Sequence, residues 1–179
     1  LYSVRSSDSW GLGDLQDLAD LATWSATQQF ASYVLVNPLH AAQPMTPLEP
    51  SPYLPTSRRY VNPIYLRPES ISEYAGLDER QRARIAQLRG RLKKRLENEP
   101  ELKRDEVWRA KLAALRVIFD AGLKPTRLMS LNDFVRKEGR PLSQFATWCA
   151  LVNAHGTNWR DWPAELRRPS SPEVHKFAT

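Results

Sequence analysis

Leu15, Leu18, Ala19, Leu21, Ala22 and Ala26 recur at the spacing of one helix face. The pattern predicts an amphipathic helix over residues 15–29. Asp14 stands just before it, and its carboxylate suits the free amides of a first turn. Upstream, "LYSVR" (residues 1–5) alternates apolar and polar positions, which predicts a short strand leading into the loop "SSDSWGLGD". Downstream, Tyr33 to Val36 form a compact apolar run with the length and β-branched character of a buried strand. Asn37-Pro38 stops it, because proline has no amide to give a ladder. Strand, helix and buried strand make a βαβ unit, so the expected fold class is α/β with parallel strands.

Residues 38–60 lose all periodicity and carry many prolines. A loop this long is usually functional or disordered, and its aromatic and apolar content argues against plain disorder. "YVNPIYL" then predicts an extended return segment, and residues 69–74 a short helix. From Asp78 the character changes to helical. Ile85, Leu88, Leu92 and Leu96 form one apolar stripe; Val107, Leu112, Leu115, Ile118 and Phe119 form a second. "NEPELKRDE" separates them. Residues 131–137 and 142–154 predict two further helices around Gly139-Arg140-Pro141. The expected organisation is a first segment, 1–77, of βα units, and a second, 78–179, that is mostly helical and inserted between strands.

Composition narrows the function classes. Hydrophobic residues make up 41% and charged residues 26%, as in ordinary globular proteins. No apolar run approaches the roughly 20 residues that span a bilayer, so no membrane role is expected. The chain begins with Leu1, so a preceding segment is expected. The lone Cys149 excludes an internal disulfide and fits a cytoplasmic setting. Net charge is +6, but the cations of residues 80–111 are interleaved with acids. That is the mark of solvated helix faces, so no nucleic-acid partner is expected. Nothing in the sequence sets an oligomeric state.

Few residues invite chemistry. "WGLGD" holds Gly-x-Gly, but a dinucleotide fingerprint needs a third glycine where Gln16 stands. A tight turn into the helix is the expected reading. Asp14 and Asp17 fall in the first helical turn, where acids complement the dipole. His40, His155 and His175 lack ligand spacing, so no metal is expected. Cys149 lies on an apolar face, and Trp159 and Trp162 read as packing groups. Tyr53 differs. Pro52 and Pro55 stiffen the loop around it, just beyond the carboxyl end of the predicted buried strand, where α/β folds bind ligands. Its ring suits the apolar face of a sugar. It suits equally a packing role that pins the loop, and physical argument alone does not choose.

Four stretches together, "RSSDSWGLGDLQDL", "SYVLVNPLHAAQP", "SPYLPTSRRYVNPIYL" and "SSPEVHKFA", resemble the amino-terminal part of the catalytic domain of 4-alpha-glucanotransferases, the amylomaltases or disproportionating enzymes. The resemblance implies a (β/α)8 TIM barrel, of which residues 1–77 would give the first strands and 78–179 a helical inserted subdomain leading back to the barrel. It implies transfer of α-1,4-glucan segments (maltooligosaccharides, starch or glycogen fragments) to glucose or glucan acceptors, with retention and without metal or organic cofactor. The family's catalytic carboxylates come from later strands, and no matching motif is present, so no residue here is assigned a catalytic role. Tyr53, with Ser51 and Pro52, matches the family's sugar-contacting Ser-Pro-Tyr. The implied whole is a fragment of the enzyme; the alternative is a noncatalytic α-glucan-binding module.

Overall fold

Asp14 starts the first helix as its position predicts. Its Oδ1 accepts the amides of Gln16 and Asp17 at 3.0 and 3.1 Å, while Asp17 in turn accepts the Asp14 amide at 2.9 Å. Such a reciprocal box satisfies amides that have no intrahelical partner. Helix α1 then runs Leu15–Gln29 and ends at Phe30, which is left-handed at φ 55°. In the computed structural model, which describes residues 1–99 and 101–178, the one buried side chain of α1 is Asp17. Pro100, in the predicted break between helices, and Thr179, the last residue of the second predicted segment, lie outside the described residues. The apolar stripe Leu15, Leu18, Leu21 and Ala22 is half-buried, and Ala19 and Ala26 are exposed.

The strands depart from expectation. Residues 1–5 are turns, tied by the Val4 amide on the Leu1 carbonyl at 2.9 Å, not a strand. Tyr33 to Val36 are not in a ladder among the described residues, and Tyr33 and Leu35 are 83% and 89% exposed. An apolar run fixes only the affinity of its side chains for a core. The strand it forms also needs backbone partners from elsewhere in a chain, and the described residues supply none. They instead hold one antiparallel pair, β1 (His40–Ala41) and β2 (Ser57–Val61), with His40 opposite Val61; most of it lies in the predicted loop, and the predicted return segment joins it at Tyr60 and Val61. The parallel strands of an α/β class are therefore absent among the described residues, which are mostly helical.

After β2 the chain makes three short 3₁₀ turns. Asn62 caps the first, accepting the Ile64 amide at 3.0 Å ahead of Pro63. The predicted helix at 69–74 is two such turns, Pro68–Ser70 and Ser72–Gly76. Helix α2 (Glu79–Leu96) opens with a second reciprocal box, Asp78 with Gln81. It packs on α3 (Arg104–Asp120) through its predicted stripe, where Ile85 and Leu92 are buried. On α3 the buried line is Val107, Trp108, Lys111, Ala114 and Ile118. Leu112 and Phe119 face outward at 47% and 70% exposure. The sequence pattern turned the helix face by about one residue because Lys111 does not look like a core position.

The chain forms two compact units, Leu1–Ala42 with Glu49–Leu123 and Gln43–Leu48 with Lys124–Thr179. The second is built on α4 (Pro125–His155), which Gly139 breaks into two helices with φ 56° and ψ −140°. A left-handed φ suits glycine, and Pro141 cannot supply an amide to the turn that follows. The break falls where Gly139-Arg140-Pro141 predicted it. Leu151 and Val152 of α4, Trp162 and Val174 of α5 (Pro172–Phe177) form this unit's core.

Candidate functional site

Tyr53 sits on a loop held by its own side chains. Ser51 Oγ accepts the Tyr53 amide and the Ser51 carbonyl accepts the Leu54 amide, each at 3.3 Å. The Ser51 amide in turn donates to Glu49 Oε1 at 3.0 Å. Pro52 is half-buried and keeps the turn stiff. The strand pair carries this loop back toward the preceding segment: the Thr56 amide donates to the Ala41 carbonyl at 2.9 Å, and the Asn62 amide to Leu39 at 2.8 Å. The result is that the Tyr53 phenol donates to Asn37 Oδ1 at 3.4 Å, just after the apolar run 33–36.

The ring itself remains 63% exposed. A tyrosine whose task was to pin the loop would bury its ring, which is worth about 2 kcal/mol for a large apolar group. Here the loop is pinned by Ser51, Glu49 and the strand pair, and the aromatic face is left to solvent. Asn37 and Ser51 stand beside it with amide and hydroxyl groups. An exposed aromatic face flanked by uncharged hydrogen-bonding groups can take the apolar side of a sugar ring and bond its hydroxyls.

The second constellation is ionic and buried. Arg67 places Nε on Asp14 Oδ2 at 2.8 Å and a terminal nitrogen on Asp17 Oδ1 at 2.7 Å. Ser6 and Ser9 donate their hydroxyls to Asp17 at 2.7 Å each. Burial pushes the Asp17 carboxyl up, but the hydrogen bonds from Ser6, Ser9, the Asp14 amide and Arg67 outweigh it and hold it below its ordinary value. Next to this group, Trp10 Nε1 donates to Glu69 at 3.0 Å, and Arg89 joins Glu69 to Asp8. Burial brings the Lys111 ammonium down to about 8, and it donates to the Ile64 carbonyl at 2.6 Å. The Asp14 and Asp17 carboxylates are neutralised and out of reach of solvent, so they hold structure and are not placed to attack a substrate. The caps read from the sequence are real. Their partner Arg67 was not legible, because "YLRPES" carries no periodicity that marks a buried cation.

"WGLGD" is a tight turn. Gly11 has φ +79°, and a side chain at Gly13 would collide with the carbonyls of Leu1 and Val4. The three histidines do not meet as a site: His40 lies in β1, His155 packs beside the rings of Trp162 and Phe177, and His175 lies on α5. Cys149 is half-buried, and burial pushes its thiol up to about 11. Trp162 is buried at 3% exposure, as a packing group should be, whereas Trp159 is 46% exposed. No described helix is long and apolar enough to cross a membrane.

A family profile described as 4-alpha-glucanotransferase matches residues 1–179. The 4-alpha-glucanotransferases of Mycobacterium tuberculosis and Mycobacterium bovis are each 48% identical over 183 residues, covering 99% of this chain. The chain spans 25% of the length of those relatives. A Haemophilus influenzae 4-alpha-glucanotransferase is 47% identical over 74 residues, 41% of this chain and 10% of that protein. Among solved structures, the amylomaltase of Corynebacterium glutamicum superposes with a TM-score of 0.80 at 40% identity, over 99% of this chain and 24% of that one.

Proposed function

This chain belongs to the 4-alpha-glucanotransferase family, and we propose that it supplies part of the α-1,4-glucan-binding surface of such an enzyme while the reacting carboxylates lie outside it. The observation that carries the reading is Tyr53, exposed on a loop that other groups hold in place. Ser51 and Pro52 shape that loop, and the ring receives a glucose unit of the chain being transferred. The reaction moves a glucan segment to glucose or to another glucan with retention, in the cytoplasm. A retaining transfer uses two carboxyl groups roughly 5 Å apart, one as nucleophile and one as acid then base. Asp14 and Asp17 cannot serve, since both are buried and held by Arg67 in one ion-paired cluster.

In this reading Tyr33 to Val36 is an early strand of a (β/α)8 barrel, and residues 78–179 are a helical insertion. The exposure of Tyr33 and Leu35 supports it, because large apolar side chains left open to solvent mark a surface that a neighbour covers. A separate noncatalytic module has less behind it: the relatives that match across the chain are transferases of which it spans 25%. The test is calorimetric titration of the chain with maltotriose and maltoheptaose. Binding that weakens in Tyr53→Ala supports the reading; equal binding by both proteins, or none by either, overturns it.

A further inference from the structure

The unit built on Lys124–Thr179 holds a cavity of about 380 Å³ that the glucan surface does not use. That volume falls in the roughly 300–1,000 Å³ range of small-molecule sites. Three indoles wall it: Trp148, Trp159 and Trp162. Trp162 is fixed, with its Nε1 on the Gly156 carbonyl at 2.8 Å. Trp148 is held by stacking on Phe145, with ring centroids 6.2 Å apart and planes 14° from parallel. Trp159 is the exposed member.

The formal charge in the lining comes from two guanidiniums. Arg140, Arg167 and His175 line the cavity, and no carboxylate among the described residues does. Arg167 is aligned by its Nε on the Trp162 carbonyl at 2.8 Å, which leaves its terminal nitrogens for a ligand. A cavity left by imperfect packing is apolar and dry. This one instead gathers two guanidiniums against fixed aromatic faces. Guanidinium forks match phosphate oxygens in pairs, and indole faces match the apolar side of a pyranose ring.

We propose that this cavity is a second ligand site, for a sugar phosphate: a phosphorylated hexose or a phosphorylated glucan end. The phosphate follows from the cavity's own charge. The choice of a sugar over another flat ring rests on the glucan reading above. Gln144 and Ser143, also in the lining, supply groups for the ring hydroxyls.

The test titrates the chain with glucose 1-phosphate, inorganic phosphate and maltotriose, read by tryptophan fluorescence and calorimetry. Glucose 1-phosphate should bind at least about tenfold tighter than either of the others, the factor that one charge-assisted contact gives. Arg140→Gln, at an exposed position where folding is not at stake, should weaken it by about the same factor. Tyr53→Ala should leave it unchanged. The site is overturned if glucose 1-phosphate does not bind, if Arg140→Gln has no effect, or if Tyr53→Ala abolishes binding. Equal affinity for inorganic phosphate overturns the sugar, and equal affinity for maltotriose in Tyr53→Ala, where the glucan surface is disabled, overturns the phosphate. If glucose 1-phosphate behaves as expected while maltotriose binds nowhere, the glucan reading fails and this site stands.

Discussion

The buried ammonium of Lys111 donates to the carbonyl of Ile64 at 2.6 Å, joining α3 to the turn that follows β2. The contact satisfies a buried carbonyl, yet burial still brings the Lys111 pKa down to about 8 from 10.5. The folded state therefore gives up its proton before the unfolded state does. Below pH 8 both states carry the charge and the folded one bears the cost of burying it. Between pH 8 and 10.5 only the unfolded state is protonated, so stability rises with pH across that window. The full rise is roughly 3 kcal/mol at most, because each tenfold change in proton affinity is worth about 1.4 kcal/mol. Urea midpoints at pH 7, 8, 9 and 10 should rise for the chain relative to those of Lys111→Met. Parallel curves for the two proteins would remove Lys111 as the cause. The Cys149 thiol and the Tyr65 phenol, both pushed up by burial, act in the opposite direction above about pH 9 and pH 10; Lys111→Met carries both, so the difference between the two proteins reports Lys111 alone.

Lys111 also marks the limit of what the sequence tells. Helix positions came through well: α1 spans the predicted 15–29, its cap is Asp14, and the break at Gly139 lies where glycine and proline stand together. These features depend on neighbours a few residues away. What was not legible depends on distant partners. Arg67 lies 53 residues from Asp14 and 50 from Asp17. Tyr33 to Val36 look like a strand but lack a ladder among the described residues, and the strand pair that does form uses mostly residues read as loop, with Tyr60 and Val61 from the predicted return segment. Tyr53 was visible as a stiffened aromatic. That Asn37 would stand at its hydroxyl was not, since it needs the hairpin to fold back.

The Arg67 cluster should be the most sensitive point in the unit that contains it. Arg67→Ala leaves Asp14 and Asp17 buried without their hydrogen-bonded partner and with Lys111 as the remaining nearby cation, and breaking a buried pair from one side costs about 3 kcal/mol or more. Asp17→Asn removes one charge and keeps most of the shape, so a smaller loss is expected. The acid limb follows from the direction in which the carboxyl is held. Asp17 lies below its ordinary 3.8, so its contribution is complete above that value and is lost as pH falls through the lower folded value. Denaturant midpoints from pH 6 to pH 2 should show that loss in the native chain and not in Asp17→Asn.

Gly13 should tolerate no side chain. Its amide donates to the Tyr2 carbonyl at 3.1 Å, and an added Cβ would meet the backbone oxygens of Leu1 and Val4, which cannot swing away as a side chain can. Gly13→Ala should lower the thermal midpoint by several degrees, since overpacking costs about 1–3 kcal/mol. Gly122→Ala is the comparison: it has a positive φ but open space around it, so only the backbone penalty of about 1 kcal/mol applies. A smaller fall for Gly13→Ala than for Gly122→Ala would contradict the close approach.

By itself the chain should not transfer glucan. Its buried acids Asp14 and Asp17 are ion-paired and closed to solvent, and the retaining reaction needs two facing carboxyl groups open to substrate. Maltotriose incubated with the purified chain should yield neither glucose nor longer glucans by chromatography. Turnover that survives repurification and disappears in Asp14→Asn would place chemistry where the geometry denies it.

The ring of Tyr53 and its hydroxyl should contribute unequally to binding. The hydroxyl reaches Asn37 only at 3.4 Å, near the far limit of a hydrogen bond, and the loop is held by shorter contacts at Ser51. Tyr53→Phe should therefore keep glucan affinity within about twofold, while Tyr53→Ala should lose about tenfold, the order of one aromatic contact worth ~1.5 kcal/mol. Asn37→Ala tests the same point from the other side. If Asn37 only orients the phenol, its loss should match Tyr53→Phe, and combining the two should cost no more than either alone. If Asn37 also bonds the sugar, Asn37→Ala should exceed Tyr53→Phe and add to it. Calorimetry with maltoheptaose on the native chain and these variants decides between the two, and a Tyr53→Phe as weak as Tyr53→Ala would mean that the hydroxyl, not the exposed ring, does the binding.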